Sequence, residues 1–189
     1  MLSHADPLPF APRRVLICGV TGAGKTTLAR RISALWNLPY TELDGLYHGP
    51  GWTVLPTFSE SLGELAAGES WIAEWGYWSS GAGPVLGARG QLAVWLDLPR
   101  RIALPRLVRR TVSRSIRRQE LWNGNIEPPL WSFFTAPDEN IIRWEMKTHR
   151  TWAARMPEVE KLYPRLEVVR LRHPREVSAW LHGPARAIA

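Results

Sequence analysis

The chain has a single cysteine in 189 residues, which excludes an internal disulfide framework. Cys18 lies in an apolar stretch, so it reads as a small core residue rather than a reactive thiol, and a reducing cytoplasm is the expected setting. Long hydrophobic runs are also lacking. The longest, Leu92 to Leu96, is far too short to span a bilayer, and the first twelve residues hold three prolines and no apolar core of signal-peptide length. Those residues are expected to form a flexible arm, 1–12, ahead of one domain, 13–189. Neither an internal repeat nor a low-complexity tract is present, and the length suits one α/β domain with a real core but not two.

Acidic residues are missing from one place in particular. Between Arg100 and Arg118 there is no Asp or Glu, while arginines 100, 101, 106, 109, 110, 114, 117 and 118 all fall there. They account for the whole formal charge of +7, so the basicity is local. A generally basic nucleic-acid-binding surface is therefore disfavoured, and one arginine-rich segment has to be explained instead.

What is present begins at Gly19-Val20-Thr21-Gly22-Ala23-Gly24-Lys25-Thr26, which matches G-x-x-x-x-G-K-[ST] without a gap. The apolar run Arg13–Cys18 before it reads as a buried strand, and Thr26–Trp36 after it carries Leu28, Ile32 and Leu35 at helical spacing. Glycines 19, 22 and 24 let successive backbone N–H groups turn inward as an anion nest, and the helix N-terminus adds partial positive charge. The nucleotide-binding set expected from this loop is Gly19, Thr21, Gly22, Ala23, Gly24, Lys25, Thr26 and Thr27. Lys25 is expected to reach the β- and γ-phosphates of ATP, Thr26 to ligate Mg²⁺, and Thr27 to cap the helix or touch the α-phosphate.

Further strands are expected at Pro39–Asp44, Trp71–Glu74, Gln91–Asp97 and Leu166–Leu171, with a helix at about 59–67. Strands alternating with helices imply a parallel sheet of five strands, with ligands at the carboxyl ends of the strands. The loop at 19–26, Asp44, Glu74 and Asp97 would all emerge there. The arginine-rich segment is helical in pattern, with Ile102, Leu107 or Val108, and Val112 on one side and a kink or delayed start at Pro105. Trp122-Asn123-Gly124-Asn125 and Pro128-Pro129 break it, and a further helix is expected over about Pro137–Arg155 with Ile141, Trp144, Thr148 and Trp152 inward.

Taken together, the chain resembles the small P-loop kinase-like proteins labelled adenylate-kinase-like or DNA topology modulation proteins. The residues that carry the resemblance are Gly19 to Thr26, Leu43-Asp44-Gly45-Leu46-Tyr47, Gly49-Pro50-Gly51-Trp52, Trp95-Leu96-Asp97-Leu98-Pro99-Arg100, Arg109-Arg110-Thr111, and Leu121-Trp122-Asn123-Gly124-Asn125-Ile126-Glu127. It spans Arg13 to about Leu181. The resemblance implies a P-loop NTPase of three α/β/α layers, nucleoside-monophosphate-kinase-like, with an acceptor-side insert at about 45–68 and an arginine-rich lid at about 106–136. After the third strand such proteins carry an Asp-Gly pair, whereas this chain has Glu74-Trp75-Gly76-Tyr77.

Roles follow from these positions. Asp44 is expected to bind or deprotonate an accepting hydroxyl, or, as a plain turn carboxylate, to initiate the Gly turn after it. Glu74 and Asp97 compete for a metal role beside Thr26, and Asp97 has the alternative of capping a helix or pairing with Arg100. Arg106 and Arg110 are expected to act on the transferring phosphoryl group and Arg109 on the nucleotide, whereas Arg100, Arg101, Arg117 and Arg118 suit a solvated face. Arg143, Lys147 and Arg150 form a second basic stripe. Of eleven tryptophans, Trp52, Trp75 and Trp78 lie near the acceptor side, as a stacking wall or as local packing. The leading reading is an ATP- and Mg²⁺-dependent phosphotransferase acting on a small-molecule acceptor, with no membrane partner. The rival is a nucleotide-gated binding protein whose arginines engage DNA or RNA.

Overall fold

The computed structural model describes residues 1–128, 148 and 150–189. Five parallel strands, β1 (Arg14–Gly19), β2 (Tyr40–Thr41), β3 (Trp71–Glu74), β4 (Leu92–Leu96) and β5 (Glu167–Leu171), form one sheet in the order β2-β3-β1-β4-β5. The register pairs Ile17 with Glu74 on one side of β1 and Gly19 with Leu96 on the other. The phosphate loop thus leaves the sheet from its centre, next to the carboxyl end of β3.

Both faces of the sheet are covered, which is why its strands are continuously apolar rather than alternating. Leu16, Cys18, Ala73 and Trp95 pack against α3 (Phe58–Ala67), α4 (Ala82–Gly87) and α6 (Thr151–Leu162). Val15, Ile17, Val94 and Leu171 pack against α1 (Lys25–Trp36) and α7 (Pro174–His182). Each fully buried Leu or Ile in these layers stabilises the fold by about 1.5–3 kcal/mol. The architecture is the expected three-layer α/β/α sandwich. Helix α1 stops at Asn37, which takes the left-handed conformation (φ 51°) and returns its N–H to Ser33 O.

Four expectations need correction. The second strand covers only Tyr40–Thr41, because the chain turns at once into the short helix α2 (Leu43–Tyr47), so Asp44 sits in a first helical turn and not at a strand end. Helix α5 (Arg100–Arg117) begins before Pro105 and runs through it, and its buried side chains are Ala103, Leu107 and Thr111, with Val108 exposed. Val112 is only half-buried. The supposed free arm is tied down: Leu2 N–H donates to Val168 O (2.6 Å), Arg170 N–H donates to Leu2 O (2.9 Å), and Leu8 is buried. Of the helix expected over Pro137–Arg155, Thr148 is helical, but Arg150 is a turn residue that caps α6, which starts at Thr151 and runs past Arg155 to Leu162. Trp131, Ile141, Arg143, Trp144, Lys147 and the lid beyond residue 128 lie outside the described residues.

Candidate active site

A cleft of about 1920 Å³ opens along the carboxyl ends of β1 and β3. That is room for a nucleotide and a second small molecule together. Gly19, Thr21, Gly22, Ala23, Gly24, Lys25, Thr26 and Thr27 all line it. Two of the glycines have identifiable reasons. Gly22 has φ +84°, and a Cβ there would lie 2.4 Å from Ala103 O, so the loop is pressed against the backbone of α5. Gly24 has φ +97° with open space around it, so its requirement is conformational only.

Behind the loop, Glu74 at the end of β3 gathers three groups. Thr26 Oγ1 donates to Glu74 Oε1 at 2.6 Å, Tyr40 Oη donates to the same oxygen at 2.8 Å, and Lys25 Nζ lies 3.9 Å from Oε2. Burial first, and then the charge of Glu74, pushes the Tyr40 phenol far above its usual range, so it remains a donor. A hydroxyl and a carboxylate in contact, facing an anion nest, suit Mg²⁺, which takes one or two protein oxygens and completes its shell with phosphates and water. Among the described residues there is no cluster of three or more His, Cys, Asp or Glu that would make a dedicated metal cage.

Asp97 is a correction. It is absent from the described residues lining the cleft, and Arg170 claims its carboxylate, with Nε donating to Oδ2 at 2.8 Å and Nη2 to the same oxygen. Arg170 is held in turn over the Trp95 ring, 4.5 Å from its centroid. The carboxylate that follows β4 is thus held in an ion pair with Arg170.

Across the cleft, Asp44 accepts a hydrogen bond from Tyr77 Oη, whose oxygen also lies 3.1 Å from His48 Nε2. A phenol has one proton. With it directed at Asp44, His48 Nε2 is the donor to the tyrosine oxygen. Burial first, and then Asp44, raises the Tyr77 phenol far above its ordinary range. Asp44 is thereby held by a tyrosine that keeps its proton well past its usual range. Tyr77 also has φ +51° and stacks on Tyr47 with centroids 4.2 Å apart.

The Trp122–Asn125 turn grips the loop that carries this group. Asn125, 3% exposed, donates through Nδ2 to Gly49 O (2.9 Å) and Trp122 O (2.7 Å) and accepts Trp52 N–H at Oδ1 (2.8 Å). Asn123 Nδ2 donates to His48 O (2.5 Å) and Gly45 O (3.2 Å). Of the tryptophans singled out, Trp75 is a core residue, 1% exposed, donating to Gly83 O at 2.9 Å. Trp52, Trp78 and, at its floor, Trp75 line the cleft, and Arg155 lies 4.3 Å over the Trp78 ring.

Arg106, Arg110 and Arg114 of helix α5 line the cleft, the first two while largely exposed, whereas Arg109, equally exposed, does not occur among the described cleft residues. The cause is helical period: 106, 110 and 114 share a stripe from which 109 is rotated away. Desolvation, and then Arg114, disfavours the charge on Arg110, while Glu127, Asp44 and Glu74 favour it. A guanidinium stays protonated regardless. Arg110 thus lies in the field of both the donor-side and the acceptor-side carboxylate. Arg114 Nη1 donates to Glu127 Oε1 at 3.2 Å.

Sequence reasoning missed Tyr40, His48, Tyr77, Asn123, Asn125 and Glu127 as parts of this site. The two asparagines had a signal, since an Asn-Gly-Asn turn offers side-chain amides to nearby backbone.

No family model matches the chain, and no curated protein sequence matches it. Among solved structures it is similar to the shikimate kinase of Bacteroides thetaiotaomicron, 17% identical, over 91% of this chain and 96% of that one, with a TM-score of 0.50. It is also similar to the shikimate kinase of Acinetobacter baumannii in complex with shikimate, 18% identical, over 92% of this chain and 87% of that one, with a TM-score of 0.51. The chain has the three-layer α/β/α fold of P-loop kinases. No helix among the described residues is long and apolar enough to cross a membrane.

Proposed function

We propose that the protein is an ATP- and Mg²⁺-dependent phosphotransferase that moves the γ-phosphoryl group to a hydroxyl of a small acceptor. The observation that carries this reading is a single cleft lined by the phosphate loop and Glu74 together with Asp44, Tyr77 and His48, with Arg110 in the field of both carboxylates. The likeness to shikimate kinases supports it at the level of fold. The narrower adenylate-kinase-like grouping rests on the Asp44–Tyr47 and Trp122–Asn125 segments.

Backbone N–H groups of Gly22 to Thr26 would hold the phosphates, with Lys25 as the point charge on the β- and γ-groups. Thr26 and Glu74 would hold Mg²⁺, whose chemistry is to neutralise charge between those groups. Asp44, oriented by Tyr77, would take the proton of the accepting hydroxyl as its oxygen bonds to phosphorus and the bond to the β-phosphate oxygen breaks, leaving ADP. Arg106 and Arg110 would meet the charge on the equatorial oxygens. Arg109, rotated from the cleft, has no role in this reading. Because Arg106, Arg110 and Arg114 line the same cleft as the phosphate loop, the reading is preferred to nucleic-acid binding. The setting is the cytoplasm, in keeping with the lone buried thiol.

The test is an ATP-consumption screen over nucleoside monophosphates, nucleosides and small hydroxylated metabolites, with Lys25→Ala as the blank. Turnover raised by an acceptor and abolished in Lys25→Ala is expected. Absence of Mg·ATP binding, or binding unchanged in Lys25→Ala, sinks the reading.

A further inference from the structure

The acceptor end of the cleft has an aromatic wall whose geometry is bought at a conformational cost. Trp52 has φ +60°, a region in which a bulky side chain is a true outlier, and strain of this kind persists only where surroundings enforce it. Here the enforcement is visible: Asn125 Oδ1 accepts the Trp52 N–H, and the adjacent backbone is gripped at Gly49. The result is an indole held at the cleft with 37% of its surface exposed. It meets the His48 ring edge-on at 5.1 Å, and His48 in turn stacks on Trp122 at 6.3 Å, 30° from parallel. Among the described residues, three of the five non-glycine residues with positive φ, namely Trp52, Tyr77 and Asn123, surround this corner.

One arginine beside this wall is already paired. Arg114, whose guanidinium lies 6.0 Å from the Trp122 ring centroid, is neutralised by Glu127 at 3.2 Å, with both side chains largely shielded, 21% and 13% exposed. An arginine so paired has little attraction left for an anionic acceptor, and a carboxylate or phosphate placed there would also meet the repulsion of Glu127 and Asp44. Glu127 Oε2 is buried with no hydrogen-bond partner among the described residues, so this carboxylate is kept at a desolvation cost.

We propose that the acceptor is an uncharged, flat-faced hydroxylated ring, of the sugar or nucleoside class, laid against Trp52 with its hydroxyl toward Asp44, and that Glu127 sets this preference by neutralising Arg114. The proposal rests on the phosphotransferase reading for the hydroxyl's fate, but ring binding does not depend on turnover.

The test therefore measures binding first. With the nucleotide site saturated by a non-hydrolysable ATP analogue and Mg²⁺, tryptophan fluorescence is titrated with uncharged probes and their anionic counterparts, glucose against glucuronate and uridine against uridine 5′-monophosphate. At least one uncharged probe binds the wild type about tenfold or more tightly than its counterpart, and Trp52→Ala loses that binding. Glu127→Gln keeps the hydrogen bond to Arg114 but removes the charge, and shifts the preference toward the anion by about tenfold, the scale of a charge-assisted hydrogen bond. In Glu127→Gln combined with Arg114→Gln the shift disappears. Binding of the anion as tight as that of the uncharged probe, an unaltered ratio in Glu127→Gln, or no binding of either uncharged probe overturns the proposal. Ring binding without ATP consumption would instead overturn the phosphotransferase reading and leave this one standing.

Discussion

Two glycines of the phosphate loop, alike in conformation, are expected to respond differently to the same substitution. Gly24→Ala and Gly22→Ala each force a Cβ into a positive-φ residue, at φ +97° and φ +84°, and that alone costs about 1–2 kcal/mol. At Gly24 the added methyl meets nothing within 4 Å, so strain is the whole effect on stability. At Gly22 it would lie 2.4 Å from Ala103 O and 3.0 Å from Leu107 Cβ. The obstacle is helix backbone, which cannot swing aside as a side chain does, and displacing it adds about 1–3 kcal/mol. Equilibrium urea unfolding should therefore show losses of about 1–2 kcal/mol for Gly24→Ala and about 2–5 kcal/mol for Gly22→Ala, the latter larger by about 1–3 kcal/mol. The displaced helix also carries Arg106 and Arg110, so Gly22→Ala should lower acceptor-dependent ATP turnover in the fraction that remains folded. Equal losses of stability in the two variants would refute the close loop–helix contact on which this reasoning depends.

Glu74→Gln removes the charge beside Thr26, and isothermal titration should show the Mg²⁺-dependent gain in ATP affinity reduced about tenfold or more while metal-free nucleotide binding persists. Asp97→Asn should cost about 0.5–1 kcal/mol in thermal unfolding, as for a partly exposed ion pair, and leave turnover intact. A metal-dependence defect there would restore Asp97 to the site. Tyr77→Phe should alter stability at alkaline pH in a defined sense. Folded Tyr77 keeps its proton well past its usual range, while the unfolded chain loses it near pH 10, so above about pH 10 stability falls by up to about 1.4 kcal/mol per pH unit from this group. The variant should show that much less alkaline slope, and no change of slope at neutral pH. Arg110→Ala should lower turnover about a hundredfold or more, whereas Arg109→Ala should leave it within about twofold, since removing a group that meets transition-state charge acts on the rate and removing a solvated one does not.

The sheet, the phosphate loop and the Glu74 strand end were legible because they depend on contiguous signals: an apolar run, a glycine spacing, a helical period. The choice between a metal role and an ion pair stayed open for Asp97 because a carboxylate at a strand end looks the same whether it faces a ligand or an arginine 73 positions away in sequence, and Arg170 on β5 decides between them. Arg109 and Arg110 differ by one residue, and only the packing of Ala103, Leu107 and Thr111 fixes which one faces the cleft. Tyr77 escaped notice because its role needs a left-handed backbone that nothing in Trp75-Gly76-Tyr77 announces. The Asn123–Asn125 grip joins residues more than seventy positions apart, beyond the reach of any local pattern.

Those two asparagines and Gly22 bear on the same helix from opposite ends. At its N-terminal half, α5 touches the phosphate loop where Gly22 meets Ala103. Toward its C-terminal end, Arg114 and Ser115 reach Glu127 and Pro128, just past the turn whose asparagines hold Gly45, His48 and Gly49. The arginine stripe between these anchors is thus referenced to the donor loop and to the acceptor loop at once. A shift of either loop must be transmitted to Arg106 and Arg110 or be resisted by contacts at the other end. Asn123→Gly isolates this link, because glycine accepts the positive φ at that position while the two amide hydrogen bonds are lost. Hydrogen exchange should then quicken over residues 45–55 with the melting temperature nearly unchanged, and acceptor KM should rise while ATP affinity holds. Exchange in 45–55 equal to the wild type would mean that the loop is held by its own turn alone and that α5 does not connect the two halves of the cleft.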